Sequence, residues 1–200
     1  MKTNNVYKKG RVHVNTGAQD TTYERLIHLI GRIKPSEKIF DAGCANGWLG
    51  KHLKNKNVHL IGGDLNVKNT DKIKGYSKII NCDIEKNIPL KNKEVDTTIS
   101  ISVFQYLDDI DSALEECKRI TRSRIIINVP NSKLLYWRNL FSPGRNANVV
   151  KYMDTKLLKN IGKKHGLKTK ILYLSNKFDR FRKLWGNVLS GGIVAIYELE

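Results

Sequence analysis

Acidic residues nearly vanish from the last two-fifths of this chain. Between Lys118 and Trp185 there are only two, Asp154 and Asp179. Surface ion-pair networks need both signs, so they do not account for the lysines there. Cysteine is scarce too: Cys44, Cys82 and Cys117 form an odd set without paired spacing. That excludes a disulfide frame and a zinc site and points to reduced thiols. No apolar run approaches the roughly 18 residues needed to span a bilayer. The start, Met1-Lys2-Thr3-Asn4-Asn5, lacks the apolar core of a signal peptide, so the expected location is the cytoplasm. Repeats and low-complexity linkers are absent. The 200 residues therefore read as one domain with room for a sizeable core, after an irregular stretch at 1–19.

What is present begins with Lys38-Ile39-Phe40-Asp41-Ala42-Gly43-Cys44-Ala45-Asn46-Gly47. It reads as a buried strand, a glycine-punctuated turn and a helix starting near Trp48. Gly43 and Gly47 bracket the small Ala45, which lets backbone approach a ligand closely. A dinucleotide fingerprint needs glycines at the first, third and sixth positions. From Gly43 those positions hold Gly43, Ala45 and Trp48, so the fingerprint fails, and Asp41 would repel a pyrophosphate. A hydroxylated, partly cationic ligand such as S-adenosylmethionine suits the turn better. The plain alternative is a turn that binds nothing.

The next segments favour a ligand. His59 to Asp64 is a second buried strand ending in a carboxylate, 21 residues after Gly43. A carboxylate there can accept two hydrogen bonds from a ribose diol. Lys78 to Asp83 is a third strand ending in an acid, and Val95 to Ser102 a fourth. Strand and helix alternate, which implies helices on both faces of a mostly parallel sheet. Its carboxyl edge is where such folds bind ligands. Further elements are a helix from Thr21-x-x-Glu24 to about Ile33 and an amphipathic helix from Asp108 to about Thr121. A fifth strand covers Arg124–Val129, and a short helix lies near Leu134–Trp137 before a Pro143-Gly144 turn. A helix capped by Asp154 runs to about His165, and strands follow at Leu167–Leu174 and Gly192–Leu199.

Together these motifs resemble the class I S-adenosylmethionine-dependent methyltransferases, especially the small-molecule type, in detail over residues 36 to 131. The resemblance implies a Rossmann-like three-layer α/β sandwich whose seven-stranded sheet has an antiparallel last strand. It implies S-adenosyl-L-methionine as cofactor. Asp41, Gly43, Cys44, Ala45 and Gly47 would contact its methionine portion, Asp64 and Leu65 its ribose, and Cys82, Asp83 and Ile84 its adenine. Ser100 and Ile101 end the fourth strand beside them. Ser102-Val103-Phe104-Gln105-Tyr106-Leu107 resembles the segment after that strand, where a His is common. Here that position is Tyr106, so a His base there is excluded. Ala45 departs from the family's middle glycine. Acceptor-side candidates are Gln105, Tyr106, Asn131 and Tyr152, with residues 132–153 as an acceptor-side insertion. Tyr106 and His13 are candidates for catalysis, and no base or metal site is evident.

Charge separates the two parts of the chain. Residues 1–117 carry 18 Lys and Arg against 15 Asp and Glu, whereas residues 118–200 carry 18 against 4. A positive field on the later strands would concentrate an anionic acceptor. Lys133–Phe141 and Lys177–Trp185 interleave cationic and aromatic residues, a pattern that suits an anionic membrane or lipid phosphate, or stacked bases of single-stranded nucleic acid. Alternatively the aromatics pack on the sheet and the lysines are solvated. The function expected is methyl transfer to an O or N nucleophile of a small or lipid-linked anionic acceptor, with peripheral membrane contact as one option. The alternatives are an RNA methyltransferase and a non-enzymatic RNA- or membrane-binding module on a decayed cofactor fold. Oligomeric state is not legible.

Overall fold

The computed structural model describes residues 18–31, 33–67, 73–132, 151, 153–174 and 192–200, with the side chains of 18–22 left aside. Its centre is a seven-stranded sheet. The strands are β1 (Lys38–Ala42), β2 (His59–Asp64), β3 (Lys78–Asn81), β4 (Val95–Ile101), β5 (Thr121–Pro130), β6 (Lys168–Leu174) and β7 (Gly192–Glu198). The order is β3-β2-β1-β4-β5-β7-β6. β7 runs antiparallel to both β5 and β6, and the pairings among β1 to β5 are parallel. The seven strands and the antiparallel last strand match expectation. Central strands buried on both faces read as near-continuous apolar runs, and β1 is buried throughout after Lys38.

Two apolar cores flank the sheet. On one face α1 (Ala18–Leu29) and α2 (Trp48–Leu53) cover Ile39, Leu60, Ile99, Ile126 and Val194. On the other, α3 (Ile110–Ile120) and α4 (Thr155–Lys164) cover Phe40, Ala42, Ile125, Ile127 and Ala195. Asp109 caps α3, its Oδ1 accepting from Ser112 N at 3.0 Å, and Asp154 caps α4 by accepting from Leu157 N at 2.8 Å. Such caps contribute about 1 kcal/mol each. Ile110, Leu114, Cys117 and Ile120 share the buried face of α3 as their spacing requires. The three cysteines are free and buried.

Three boundaries differ from expectation. α1 starts at Ala18 and stops at Leu29, so Thr21 lies inside the helix rather than at its cap. Gly31, at φ 81°, turns the chain before Pro35 is reached. β5 extends back to Thr121, where a register shift between Val95 and Thr97 lets β4 pair with its early residues. β3 ends at Asn81, and Asp83 lies beyond it in an isolated bridge with Asn87. The expected helix at Leu134–Trp137, the Pro143-Gly144 turn, most of 132–153 and the Lys177–Trp185 segment lie outside the described residues.

At the amino edge of the sheet a buried polar pin ties early and late strands. Thr97 Oγ1 donates to Glu37 Oε1 at 2.6 Å, and Arg124 Nη2 reaches the same oxygen at 3.4 Å. Arg124 Nη1 also donates to Ile30 O at 3.2 Å, which anchors the end of α1.

Candidate functional site

The carboxyl ends of β1, β2 and β4 meet at the turn 43–47. Gly43, Ala45 and Gly47 have φ of 85°, 43° and 75°. Glycine adopts this region freely, whereas alanine there is strained. Gly43 N and Cys44 N both donate to Gly63 O, at 2.8 and 3.1 Å, and Gly47 N donates to Cys44 O at 2.8 Å. A side chain on Gly43 would collide with the methyls of Val103, so the turn after β4 packs directly on bare backbone. Ala45 and Asn46 stand exposed at the tip.

Asp64 locks this turn to β2. Its Oδ2 accepts from Ala45 N and its Oδ1 from Asn66 N, each at 2.9 Å. Two charge-assisted bonds fix the carboxylate plane. Each oxygen retains further acceptor capacity. Next to it Leu65, 38 % accessible, is the one large apolar side chain exposed among the described residues. An oriented carboxylate thus borders an uncovered apolar surface.

The other two strand-end acids are placed differently from a row of ligand-facing carboxylates. Asp41 is buried, and Tyr76 Oη donates to its Oδ2 at 2.5 Å. The same phenol oxygen accepts from Gly50 N at 3.3 Å, linking Asp41 to α2. Burial raises the Asp41 carboxyl to about 7 against the bond from Tyr76, and the neighbouring Asp64 charge adds to the rise. Burial and then Asp41 push the Tyr76 phenol far upward. Asp83 holds its own turn: Oδ1 accepts from Glu85 N at 3.1 Å and Oδ2 pairs with Lys86 at 3.4 Å.

Several expected contacts are interior. Cys44 is buried with its sulfur where a side chain on Gly62 would stand, and Cys82 occupies the same place for Gly63. Burial raises both thiols, that of Cys82 to about 12. Ile84 and Ile101 belong to the two cores. Ser100 is buried and donates to Ala42 O at 2.9 Å, tying β4 to β1. Cys44, Cys82, Ile84, Ser100 and Ile101 therefore shape the edge from within.

The turn after β4 carries the acceptor-side candidates. Ser102 has φ 58°, and a short 3-10 turn spans Phe104–Tyr106. Gln105 is 1 % accessible. Tyr106 is half-buried, and Asn131 is buried just past β5. Lys151 N donates to Gln105 O at 3.0 Å, bringing the approach to α4 against this turn. His13 and Tyr152 lie outside the described residues. Sequence reasoning missed Tyr76. Its signal was a set of glycines with no turn to make: side chains on Gly50 or Gly62 would run into the Tyr76 ring.

Residues 40–127 match the family model "Methyltransferase domain". The chain is 31% identical over 106 residues to a malonyl-[acyl-carrier protein] O-methyltransferase from Hamiltonella defensa, covering 52% of this chain and 40% of the relative. It thus spans well under half the length of that curated relative. Among solved structures it resembles a methyltransferase from Archaeoglobus fulgidus: TM-score 0.74, 20% identity, 92% of this chain and 95% of that one covered. It also resembles magnesium protoporphyrin IX methyltransferase from Synechocystis PCC 6803 with bound SAH: TM-score 0.68, 13% identity, 96% and 91% covered. At these identities the structural likeness speaks for the fold.

Residues 40–127 match a methyltransferase domain, and the fold is that of S-adenosylmethionine-dependent methyltransferases. The methyltransferase fold accounts for the reversed β7 and for the turn, carboxylate and sheet edge found together. No metal-binding group of His, Cys, Asp and Glu occurs among the described residues, and no described helix is long and apolar enough to cross a membrane.

Proposed function

We propose that this chain moves the methyl group of S-adenosylmethionine to an O or N nucleophile of a small or lipid-linked anionic acceptor. The observation that carries the reading is Asp64, oriented by two backbone N–H groups beside exposed Leu65 and the bare turn at Ala45. These residues fit the cofactor. Asp64 keeps lone pairs for a ribose diol, Leu65 offers apolar surface to the nucleoside, and residues 43–47 leave no bulk against the methionine portion. Asp83 and the backbone of 82–84 would flank the adenine.

The cofactor supplies an activated methyl on a sulfonium sulfur. The chain's task is then to hold the acceptor in line, and orientation alone contributes about 7–11 kcal/mol to such reactions. Tyr106 and Asn131, which follow β4 and β5, are taken as acceptor-side residues, and no base is assigned. An acceptor already ionised needs none. The curated relative's name specifies a malonyl group on a carrier protein, and a malonyl carboxylate is an anionic O nucleophile. That makes a malonyl thioester the first probe to try.

Calorimetric titration with S-adenosylmethionine tests the cofactor reading, and micromolar binding is expected. Transfer of labelled methyl into a malonyl thioester, a lipid extract, a small-molecule extract and total RNA tests the acceptor class. Label in RNA alone would replace the proposed acceptor with a nucleic acid. Binding without transfer to any of them would leave a binding module, and no binding would leave a decayed scaffold.

A further inference from the structure

The turn after β4 contains an amide that the fold does not use. Gln105 is 1 % accessible, and neither its Oε1 nor its Nε2 has a hydrogen-bond partner among the described residues. The other buried side-chain polar atoms among the described residues are paired. Asn128 Nδ2 donates to Ile193 O at 3.2 Å, Ser100 donates to Ala42 O, and Thr98 and Thr121 share a bond of 2.6 Å. An unpaired amide is a burden that folding alone would remove, because an apolar side chain of similar size would serve the interior better. The burden has a location. Val103, two residues earlier, packs on Gly43 of the cofactor turn. The Gln105 carbonyl receives Lys151 N from the approach to α4. Ser102, at φ 58°, adds backbone strain to the same turn.

We infer that Gln105 is the residue that reads the methyl acceptor, its amide receiving a group that donates and accepts a hydrogen bond together. This rests on the methyltransferase reading and refines it. A bare carboxylate would engage Nε2 and leave Oε1 unpaired. A carboxamide, an imide or a hydroxyl beside a carbonyl engages both. A site built to bond such a group discriminates strongly against analogues lacking it, because its own polar atoms are then left unpaired. The acceptor therefore carries such a two-sided group in addition to any negative charge that attracts it. Gln105 positions the acceptor and takes no proton.

The test compares wild type with Gln105→Leu and Gln105→Glu. Three readouts are needed: melting temperature, the Kd for S-adenosylmethionine and S-adenosylhomocysteine, and labelled-methyl transfer from S-adenosylmethionine into a titrated small-molecule extract of the source cells. Gln105→Leu should melt at or above wild type and bind both cofactor forms within twofold. The extract concentration giving half-maximal transfer should rise at least tenfold. Gln105→Glu, which replaces the N–H donor by an acceptor, should show a similar loss. A Leu variant that melts several degrees lower makes the amide structural and overturns the inference. So does a tenfold weaker Kd for the cofactor, which would assign Gln105 to cofactor binding, and so does unchanged transfer. If wild type binds the cofactor yet transfers no label from the extract, the small-acceptor reading fails and the inference with it. Loss confined to the variants separates the two.

Discussion

Replacing Asp41 by Asn should remove a large part of the pH dependence of stability. In the folded chain the buried Asp41 carboxyl titrates at about 7, against 3.8 for the ordinary value. Between those values the folded state holds a proton that the unfolded state has released, so stability falls as pH rises. The contribution is fully present below about 3.8 and is lost as pH climbs through about 7. From pH 5 to pH 7 two pH units are crossed at 1.36 kcal/mol each, so this one group should cost wild type about 3 kcal/mol. That is a large share of a typical stability of 5–15 kcal/mol. Asn keeps the shape, still accepts from Tyr76 Oη, and does not titrate. Urea unfolding of both proteins from pH 5 to pH 8.5 measures the difference, with slopes checked for constancy. Other titrating groups are shared and cancel between the two. The Asn variant should gain on wild type by about 3 kcal/mol across the range. Parallel curves would refute the argument that burial raises the Asp41 carboxyl. A cationic ligand favours the ionised carboxylate, so wild-type affinity for S-adenosylmethionine should rise over the same window while that of the variant stays flat.

Four further outcomes are expected. Asp64→Ala should weaken S-adenosylmethionine binding roughly 10- to 100-fold by calorimetry, since it removes the proposed diol contact and frees Ala45 N and Asn66 N; equal affinity with an intact circular dichroism spectrum would remove Asp64 from the site. Ala45→Gly should keep binding and gain up to about 1 kcal/mol from relief at φ 43°, whereas Ala45→Leu should lose binding by bulk, and a Leu variant that binds normally would show that the turn is no cradle. Glu37→Ala should destabilise by about 3–5 kcal/mol in urea unfolding, because it removes the buried carboxylate, 8 % accessible, that Thr97 and Arg124 share; a loss below 1 kcal/mol would show that water replaces the pin. Reversal of Arg180, Arg182 and Lys183 to Glu should reduce methyl transfer at low salt without changing cofactor affinity, and the deficit should shrink as salt screens exposed charge beyond about 8 Å; reversal of Lys156, Lys159 and Lys163 on α4 should do less, and an equal effect would make the charge generic.

Strand identity was legible because each β-segment is a short apolar run ending at a turn, whereas the antiparallel last strand came from the family resemblance alone. β2 was readable to the residue at His59–Asp64, and α2 at its start, Trp48. The start of α1 was not, because Thr21 and Glu24 imitate a capping box inside a continuing helix. The cofactor edge was legible as a set of residue types but not as a division of labour. Asp41, Asp64 and Asp83 look alike in sequence, each an acid after an apolar run. Only packing shows that one is sealed beneath the turn by Tyr76, one is displayed, and one holds its own loop. Burial of that kind depends on a tyrosine 35 residues away, which no local spacing encodes. Gln105 was visible as a polar residue after β4; its lack of partners was not.

The distribution of positive charge also takes on meaning once the sheet is known. Several described cations of the later part are answered by acids or carbonyls. Arg122 pairs with Asp96 at 3.1 Å, Lys164 with Asp111 at 2.7 Å and Lys168 with Glu198 at 3.5 Å. Lys118 donates to His165 O at 3.0 Å. Exposed pairs of this sort contribute little stability, but they cancel field. Part of the remaining excess falls in two stretches outside the described residues. Residues 133–150 and 175–191 hold seven Lys and Arg and one Asp. Both depart from the carboxyl edge. The first follows the end of β5 and returns at Lys151, which is bonded to the turn after β4. The second joins Leu174 to Gly192, which are paired with each other across β6 and β7. The residues that flank both stretches thus lie at the edge that holds Asp64 and Gln105. Positive charge near that edge would act on whatever approaches the methyl group. That is the physical reason to look for an acceptor with negative charge, and to expect its capture, rather than the fold's stability, to depend on salt.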